Sequence, residues 1–581
     1  MRARAQAARW WTAVALVSFV CCPLMAQIEP EIEPKPVPGA EEPGEVREEE
    51  TAELAEEFRK DEVLVESLRG LVFVGSQDDI ASDALEVEGV AVIAVPLLDT
   101  PQFRQRVRPF MGRPVTMRLI GQVARETVLY CRKHDRPVVD VRVPEQDISA
   151  GTVQFLVVEG TVDQVQVEGA KYFDEGPMRD QVRLQAGDPI SRRALREDVR
   201  WLNRNPFRHI DVVLTPGEMA GTTNVVLDVT DRRPFRVYGG YEDSGNELTG
   251  HTRWLTGFNW GNVFTDDDQL NYQFTASSEF DRLRGHALSY IRRLPWRHVL
   301  TLYGYTVDTD ISTGGFDIDG GTDQLGVRYE IPLSDPENGQ IRHELLTGYE
   351  YKRSDSDAQF GAVRATGETT ELGQFMLGYR MIARDRCGRT SLEAKGFYSP
   401  GGPYGHADDD DFEAARFLAD PEYFYARVDL ERLTNLSDDF TLHNKLVCQA
   451  ASDNLLPSEQ LGFGGYYSVR GFDTRALTNT DAGFYLRNEL RTPPMHLGKA
   501  LGCPELEDRL QFLVFLDYGV ALRYDAMPGA DDDITISSLG PGLRYSIARR
   551  LDVRVDYGIQ WHTADLPGQS DRWHVGVVLS Y

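Results

Sequence analysis

"LDVRVDYGIQW", Leu551 to Trp561, sets Leu551, Val553, Val555, Tyr557, Ile559 and Trp561 against Asp552, Arg554, Asp556, Gly558 and Gln560. Successive side chains of a strand point to opposite faces, so this stretch predicts a strand between an oily side and a wet one. "LNYQFTAS", residues 270–277, repeats the pattern. Leu270, Tyr272, Phe274 and Ala276 share one face, and Asn271, Gln273, Thr275 and Ser277 the other. About sixteen such segments run from Phe235 to Tyr581, many near the roughly 10 residues a tilted strand needs to cross hydrocarbon. An even count of this kind predicts a transmembrane antiparallel β-barrel over residues 233–581.

Connector lengths point the same way. Connectors after even-numbered segments are mostly short, such as "RLPW", "TNLSDD" and "ARR". Those after odd-numbered segments include "TDISTGGFDIDGGTD", "RSDSDAQFGAVRATGETT" and "SPGGPYGHADDDDFEAARFLADPE". Short periplasmic turns against long outer loops are the asymmetry of outer-membrane barrels, and a soluble sandwich has no reason for it. "PPMHLGKALGCPELED" is one long even connector that departs from it. The last segment, "WHVGVVLSY", ends in Tyr581. It resembles the carboxy-terminal signal by which outer-membrane insertion machinery recognises its clients.

Upstream of the barrel the pattern is mixed. "LRGLVFVG" reads as a strand, and "TPQFRQRVRPFMG" and "TMRLIGQVARETVLYCRKH" carry helical spacing. "PVVDVRVPEQ" and "GTVQFLVVEG" close the unit as strands. The second copy runs "VDQVQVEG", "MRDQVRLQAG", "RRALREDVRWLNR", "IDVVLTP" and "NVVLDVTD". Two tandem α+β units of order β-α-α-β-β are therefore expected, over 61–160 and 161–232.

Before them, "MRARAQAARW" followed by "WTAVALVSFVCCPLMA" is a secretory signal, residues 1–26. Residues 27–60 are rich in Glu and Pro and read as an acidic linker that cannot bury a core. A short helix at its end, near Thr51 to Ser67, is left open as a candidate barrel plug. The net charge of −29 excludes nucleic acid as a natural partner. Cys131, Cys387, Cys448 and Cys503 are scattered and form no CxxC pair, so neither a zinc site nor a disulfide framework is expected.

The tandem units resemble POTRA modules of the BamA-like transporter superfamily. "VPEQDISAGTVQFLVVEG" narrows the resemblance, through Pro144, Gln146, Asp147, Gly151, Glu159 and Gly160. It is similar to the POTRA junction of two-partner secretion transporters, the TpsB proteins of the ShlB/FhaC/HecB family. A second motif agrees. "YYSVRGFDTRAL", residues 466–477, lies between the eleventh and twelfth segments and carries Val469, Arg470, Gly471 and Phe472. The resemblance implies that this loop, 451–481, folds into the lumen. Thr480-Asp481 stands where the family pattern has Gly-Asp. The resemblance also implies a wall partner for Arg470. In "LQFLVFLDYGV" the alternation puts Leu510, Phe512, Val514, Leu516 and Tyr518 toward lipid and Phe515 and Asp517 inward. Asp517 occupies the family's inward Phe-x-Asp position.

No G-x-S-x-G elbow, HExxH or P-loop is present, so no enzymatic activity and no cofactor are expected. "HADDDD" at 406–411 and "ADDD" at 530–533 lack the EF-hand pattern and read as solvated loops rather than metal sites. The resemblance implies a pore in outer-membrane lipid that exports a large partner exoprotein captured by the POTRA modules. The alternative is an outer-membrane protein assembly factor like BamA or TamA, which shares the barrel and the Arg470 loop.

Overall fold

The computed structural model describes residues 32–38, 44–48, 60–264, 267–313, 316–336, 340–360, 363–473, 479–522, 533–563 and 571–581. The expected signal, 1–26, lies outside them. A first short strand, β1 (Val46–Glu48), precedes the first module. That module contains β2 (Val63–Val65), β3 (Gly70–Val74), β4 (Gly89–Ile93) and α1 (Pro101–Val107). It continues with β5 (Val115–Thr116), α2 (Met117–Lys133), β6 (Val139–Arg142) and β7 (Thr152–Glu159). Its main sheet has the order β4-β3-β7-β6. β4, from the unassigned stretch before the first helix, adds a strand to the expected plan.

The helices begin where their sequences say they should. The Thr100 hydroxyl accepts the Phe103 N–H and Pro101 fills the first turn; Thr116 does the same for Leu119. α2 then buries Leu119, Ile120, Val123, Ala124, Tyr130 and Cys131 at three- and four-residue spacing. This stripe meets Phe73, Phe103 and Phe155, with ring centroids 4.9 and 5.3 Å from Phe73.

The second module holds β8 (Thr161–Glu168), α3 (Glu175–Asp180), α4 (Arg192–Leu202), β9 (Arg208–Pro216) and β10 (Thr222–Asp231). Gly160 alone separates β7 from β8. The sheet order is β8-β10-β9-β1, so residues 46–48, expected as linker, form a parallel edge strand on β9. The linker reading of 27–60 thus fails there. Composition measures whether a segment can bury a core of its own, and an open sheet edge asks only for backbone.

The barrel starts with β11 (Phe235–Glu242), β12 (Arg253–Gly261), β13 (Gln269–Ala276), β14 (Leu283–Arg293) and β15 (Val299–Thr313). β16 (Phe316–Pro332), β17 (Ile341–Phe360), β18 (Val363–Asp385), β19 (Gly388–Pro400) and β20 (Glu422–Asn435) follow. β21 (Thr441–Ala451), β22 (Ala482–Arg491), β23 (Asp508–Leu522), β24 (Asp533–Ile547), β25 (Leu551–His562) and β26 (Arg572–Ser580) complete it. β26 pairs with β11, closing a sixteen-stranded antiparallel barrel. In β23, Phe512, Val514, Leu516 and Tyr518 are exposed to the outside while Phe515 and Asp517 are buried inward. Leu510 departs from the expected lipid face. It is buried because the connector folds back and Met495 bridges to it.

Two further expectations change. Much of the expected long loops is strand: Asp310 pairs with Asp319, and Asp355 with Thr369. The "HADDDD" stretch is no free loop either. Asp408 caps α5 (Asp409–Ala415), and Phe412 is buried against Leu346, Leu372 and Leu455. Residues 530–532 lie outside the described set. Among the described residues, no group of His, Cys, Asp and Glu has the geometry of a metal site.

Candidate functional site

The loop after β21 enters the barrel interior and returns at β22. Its return is anchored by backbone pairing, Leu461 N–H to Thr480 O at 2.8 Å and Thr480 N–H to Leu461 O at 3.0 Å. Asp481 is fully buried and accepts from Leu455 N–H (2.9 Å), Gln460 Nε2 (3.2 Å) and Arg416 Nη2 (2.6 Å). The Thr480 hydroxyl donates to Ala482 O at 2.8 Å, so the Thr-Asp pair builds a complete turn without a glycine.

At the tip, Val469 and Phe472 join Leu461, Phe463, Tyr485 and Ile536 in an apolar cluster. Gly471 has φ +86° and touches the wall backbone. A Cβ there would lie 2.9 Å from Gly558, and one on Gly558 would lie 2.3 Å from Gly471 N. Only glycine on both sides admits this approach. Gly471 N–H donates to His574 Nε2 at 2.9 Å, and Gln560 Nε2 donates to Gly471 O at 2.7 Å. Of the motif's flank, residues 474–478, including Arg475, lie outside the described set.

These contacts aim Arg470, which is 0% exposed, between β22, β23 and β25. Its Nε and Nη2 donate to the two oxygens of Asp517 at 2.7 and 2.8 Å, and its backbone N–H donates at 3.1 Å. This bidentate fork is the strong geometry for arginine and carboxylate. The guanidinium carbon lies 3.6 Å from the Phe515 ring centroid. Nη1 donates to Glu489 Oε1 at 2.6 Å and sits 3.5 Å from Asp556 Oδ2. A second tier holds those carboxylates: Arg544 and Arg491 on Glu489 at 3.0 and 2.6 Å, Arg544 and Arg554 on Asp556 at 2.7 and 2.8 Å. Sequence reasoning singled out Asp517 and Phe515 and missed Glu489 and Asp556. Both were on the wet face of their strands, but alternation cannot choose among lumen charges.

A second occupant of the barrel interior comes from the amino-terminal end. Residues 32–38 group with the barrel, and Ile32 is buried against Leu283 and Val307. Lys35 Nζ is 2.9 Å from Glu242 Oε1 and donates to the Tyr467 hydroxyl at 3.2 Å. Arg236 Nη1 and Asn259 Nδ2 donate to the carbonyls of Pro36 (3.0 Å) and Lys35 (3.2 Å). This is the second place where the linker reading fails. A Pro-rich stretch has few N–H groups to satisfy, and a polar lumen serves its carbonyls. Of the candidate plug near Thr51 to Ser67, residues 63–65 instead pair with β5 in the first module.

The junction residues are brought together as a structural joint. The Gln146 side chain spans to β7, Nε2 to Gln154 O at 2.8 Å and Oε1 from Gln154 N–H at 2.7 Å, while Nε2 also donates to Pro144 O at 3.1 Å. The Ser149 backbone N–H, donating to Asp147 Oδ1 at 2.8 Å, holds that carboxyl below its usual range. Gly151 has φ +82° and accepts from Arg69 and Gly70. Glu159 accepts from Arg136 Nε at 2.9 Å. Gly160 packs where a Cβ would lie 2.7 Å from Val138. Tyr581 exchanges backbone hydrogen bonds with Val237 across the barrel closure, its side chain 90% exposed.

Known proteins resemble this chain in sequence and in fold. The family model described as haemolysin secretion/activation protein ShlB/FhaC/HecB matches residues 221–545. A POTRA model, described as surface antigen variable number repeat, matches residues 160–232. The outer membrane transporter CdiB-2 of Burkholderia pseudomallei is 24% identical over 372 residues, covering 62% of each chain. The heme/hemopexin transporter protein HuxB of Haemophilus influenzae is 20% identical over 474 residues, 78% of this chain and 80% of that one. Among solved structures, CdiB from Escherichia coli superposes with TM-score 0.69 at 18% identity, covering 92% of this chain and 93% of its own. At that identity the likeness is one of fold.

Proposed function

The chain belongs to the ShlB/FhaC/HecB haemolysin secretion/activation family, and from that premise we propose that it is an outer-membrane pore exporting one large exoprotein by two-partner secretion. The client is an unfolded chain met in the periplasm by the two POTRA modules. Strand addition to a sheet edge captures it, because backbone hydrogen bonds give affinity with little demand on sequence. The observation that carries the reading is the occupied lumen. A folded-in loop is held at its tip by one arginine on three wall carboxylates, Asp517, Glu489 and Asp556. A tip seated through charges in a polar channel can leave and return without unfolding the wall. No nucleotide is available at that surface, so folding of the client outside the cell supplies the direction. The family membership weighs against the assembly-factor alternative.

Two variants test the reading. Arg470→Glu adds a fourth carboxylate to the cluster and is expected to abolish export while the barrel still inserts. Secretion at the wild-type level would refute the role of the tip. Deleting Leu68 to Arg232 is expected to leave a conducting pore that exports nothing, and retained export would remove the modules from the mechanism.

A further inference from the structure

The second module carries an edge that is occupied by the chain itself. β1 lies parallel to β9 in the register Val46–Val212, Arg47–Val213 and Glu48–Leu214. The Val212 N–H donates to Glu45 O at 2.8 Å. Asp211 then engages the incoming segment twice, Oδ1 accepting the Glu45 N–H at 2.7 Å and Oδ2 accepting Arg47 Nη2 at 2.8 Å. His209 Nε2 also approaches that carboxylate, at 3.3 Å, and Asp228 stands opposite Asp211 on β10. One residue earlier, Gly44 presses onto the module. A Cβ there would lie 2.0 Å from Ile210 O, 2.4 Å from Val199 Cγ1 and 2.5 Å from Asn203 Nδ2.

Backbone addition alone would accept any extended chain, and this edge asks for more. In the resident segment position one is the glycine whose seat has no room for a Cβ, position three is the half-buried Val46, and position four presents the Arg47 cation to Asp211. Resident pairing is also brief. Among the described residues β1 pairs with three of the nine residues of β9, so a longer strand would gain hydrogen bonds that the resident does not make. A tethered competitor has a local concentration on the order of millimolar, which keeps weak or mismatched segments off the edge.

We propose that the outer edge of β9 is the acceptor for an extended client segment of pattern glycine–any–apolar–basic, entering parallel to β9, and that residues 44–48 are its resident stand-in, displaced when the client docks. The proposal rests on the transport reading and specifies its first step. It assigns Asp211 the choice of a basic residue and Gly44's seat the choice of glycine, neither of which strand addition by itself would supply.

The test uses the full-length transporter in detergent and a labelled synthetic peptide of residues 43–50, PGEVREEE. Gly44→Val cannot seat its side chain, so the resident leaves while β9 stays intact. The peptide is expected to bind this variant at least about tenfold tighter than the wild-type chain, whose edge is taken. The same peptide with Arg47→Glu is expected to lose that gain. Hydrogen exchange at the Val212 amide is expected to speed up in Gly44→Val and to slow again with peptide. Equal peptide affinity for both chains, or a Val212 amide indifferent to Gly44→Val, overturns the proposal. If that happens while deletion of Leu68 to Arg232 still stops export, the edge is discarded and the transport reading stands. Export that survives the deletion discards both.

Discussion

Phe103 in the first module and Arg470 at the lumen tip are both 0% exposed, and they are buried by opposite means. Phe103 lies against Phe73 and Tyr130, ring centroids 4.9 and 5.0 Å away, and gains stability from apolar area withdrawn from water. Arg470 loses hydration and is compensated by three carboxylates and the Phe515 ring. An apolar core of this kind opens only by unfolding. A charge cluster can exchange partners, and two of these three carboxylates have other arginines. If Arg470 leaves, Glu489 keeps Arg491 and Arg544, and Asp556 keeps Arg544 and Arg554. The module core is held by apolar packing and the tip by charge pairing.

The largest expected effect breaks the charged side. Arg470→Ala strands Asp517, and removing one member of a buried pair costs about 3–5 kcal/mol locally. Protease sites in the loop are expected to open while the barrel keeps its heat-modifiable mobility on gels. The double variant Arg470→Glu with Asp517→Arg separates a simple pair from a cluster. The carboxylate introduced at the tip would then face Glu489 and Asp556, which approach the present guanidinium to 2.6 and 3.5 Å. Export is therefore expected to recover only slightly. Full recovery would reduce the cluster to one pair and undo the comparison.

On the apolar side, Phe103→Ala is expected to cost about 3–5 kcal/mol of the first module's stability. Proteolysis within residues 61–160 should follow, with the tip as protected as in the wild type. If loop sites opened equally, the two regions would not be independent. A smaller effect is expected from Gly471→Ala, about 1–3 kcal/mol, from a side chain at φ +86° facing Gly558 backbone. Raised conductance with normal assembly would register it.

The barrel was legible because period two is a local property. Leu551 to Trp561 alone separated the lipid face from the lumen, and Asp556 is buried as its position requires. Arg470 with Asp517 was legible only through a motif, since spacing cannot tell one inward charge from another. Glu489 and Asp556 were missed for that reason. Two places escaped because their partners are distant in sequence. Lys35 meets Glu242 and Tyr467, and Val46 meets Val212. Composition sees only that such segments cannot form a core, and neither segment needs one. β4 escaped because it pairs only with β3 and has five residues to signal itself.

The smallest effect sharpens the apolar side without disturbing it. Cys131, on α2, is fully buried beneath the same aromatic cluster as Phe103. Burial pushes its thiol up to about 12, and the Glu159 carboxylate adds to the rise. The thiolate is the reactive form, so burial leaves little of it at neutral pH. Cys387 and Cys503 are exposed. At pH 8 a maleimide is expected to label those two within minutes and to leave Cys131 untouched until the chain is denatured. In Phe103→Ala the reagent should reach Cys131 without denaturant, whereas in Arg470→Ala it should not. Labelling of Cys131 in the Arg470 variant would mean that loosening the tip also loosens the module core, and that the two modes of burial share one opening motion.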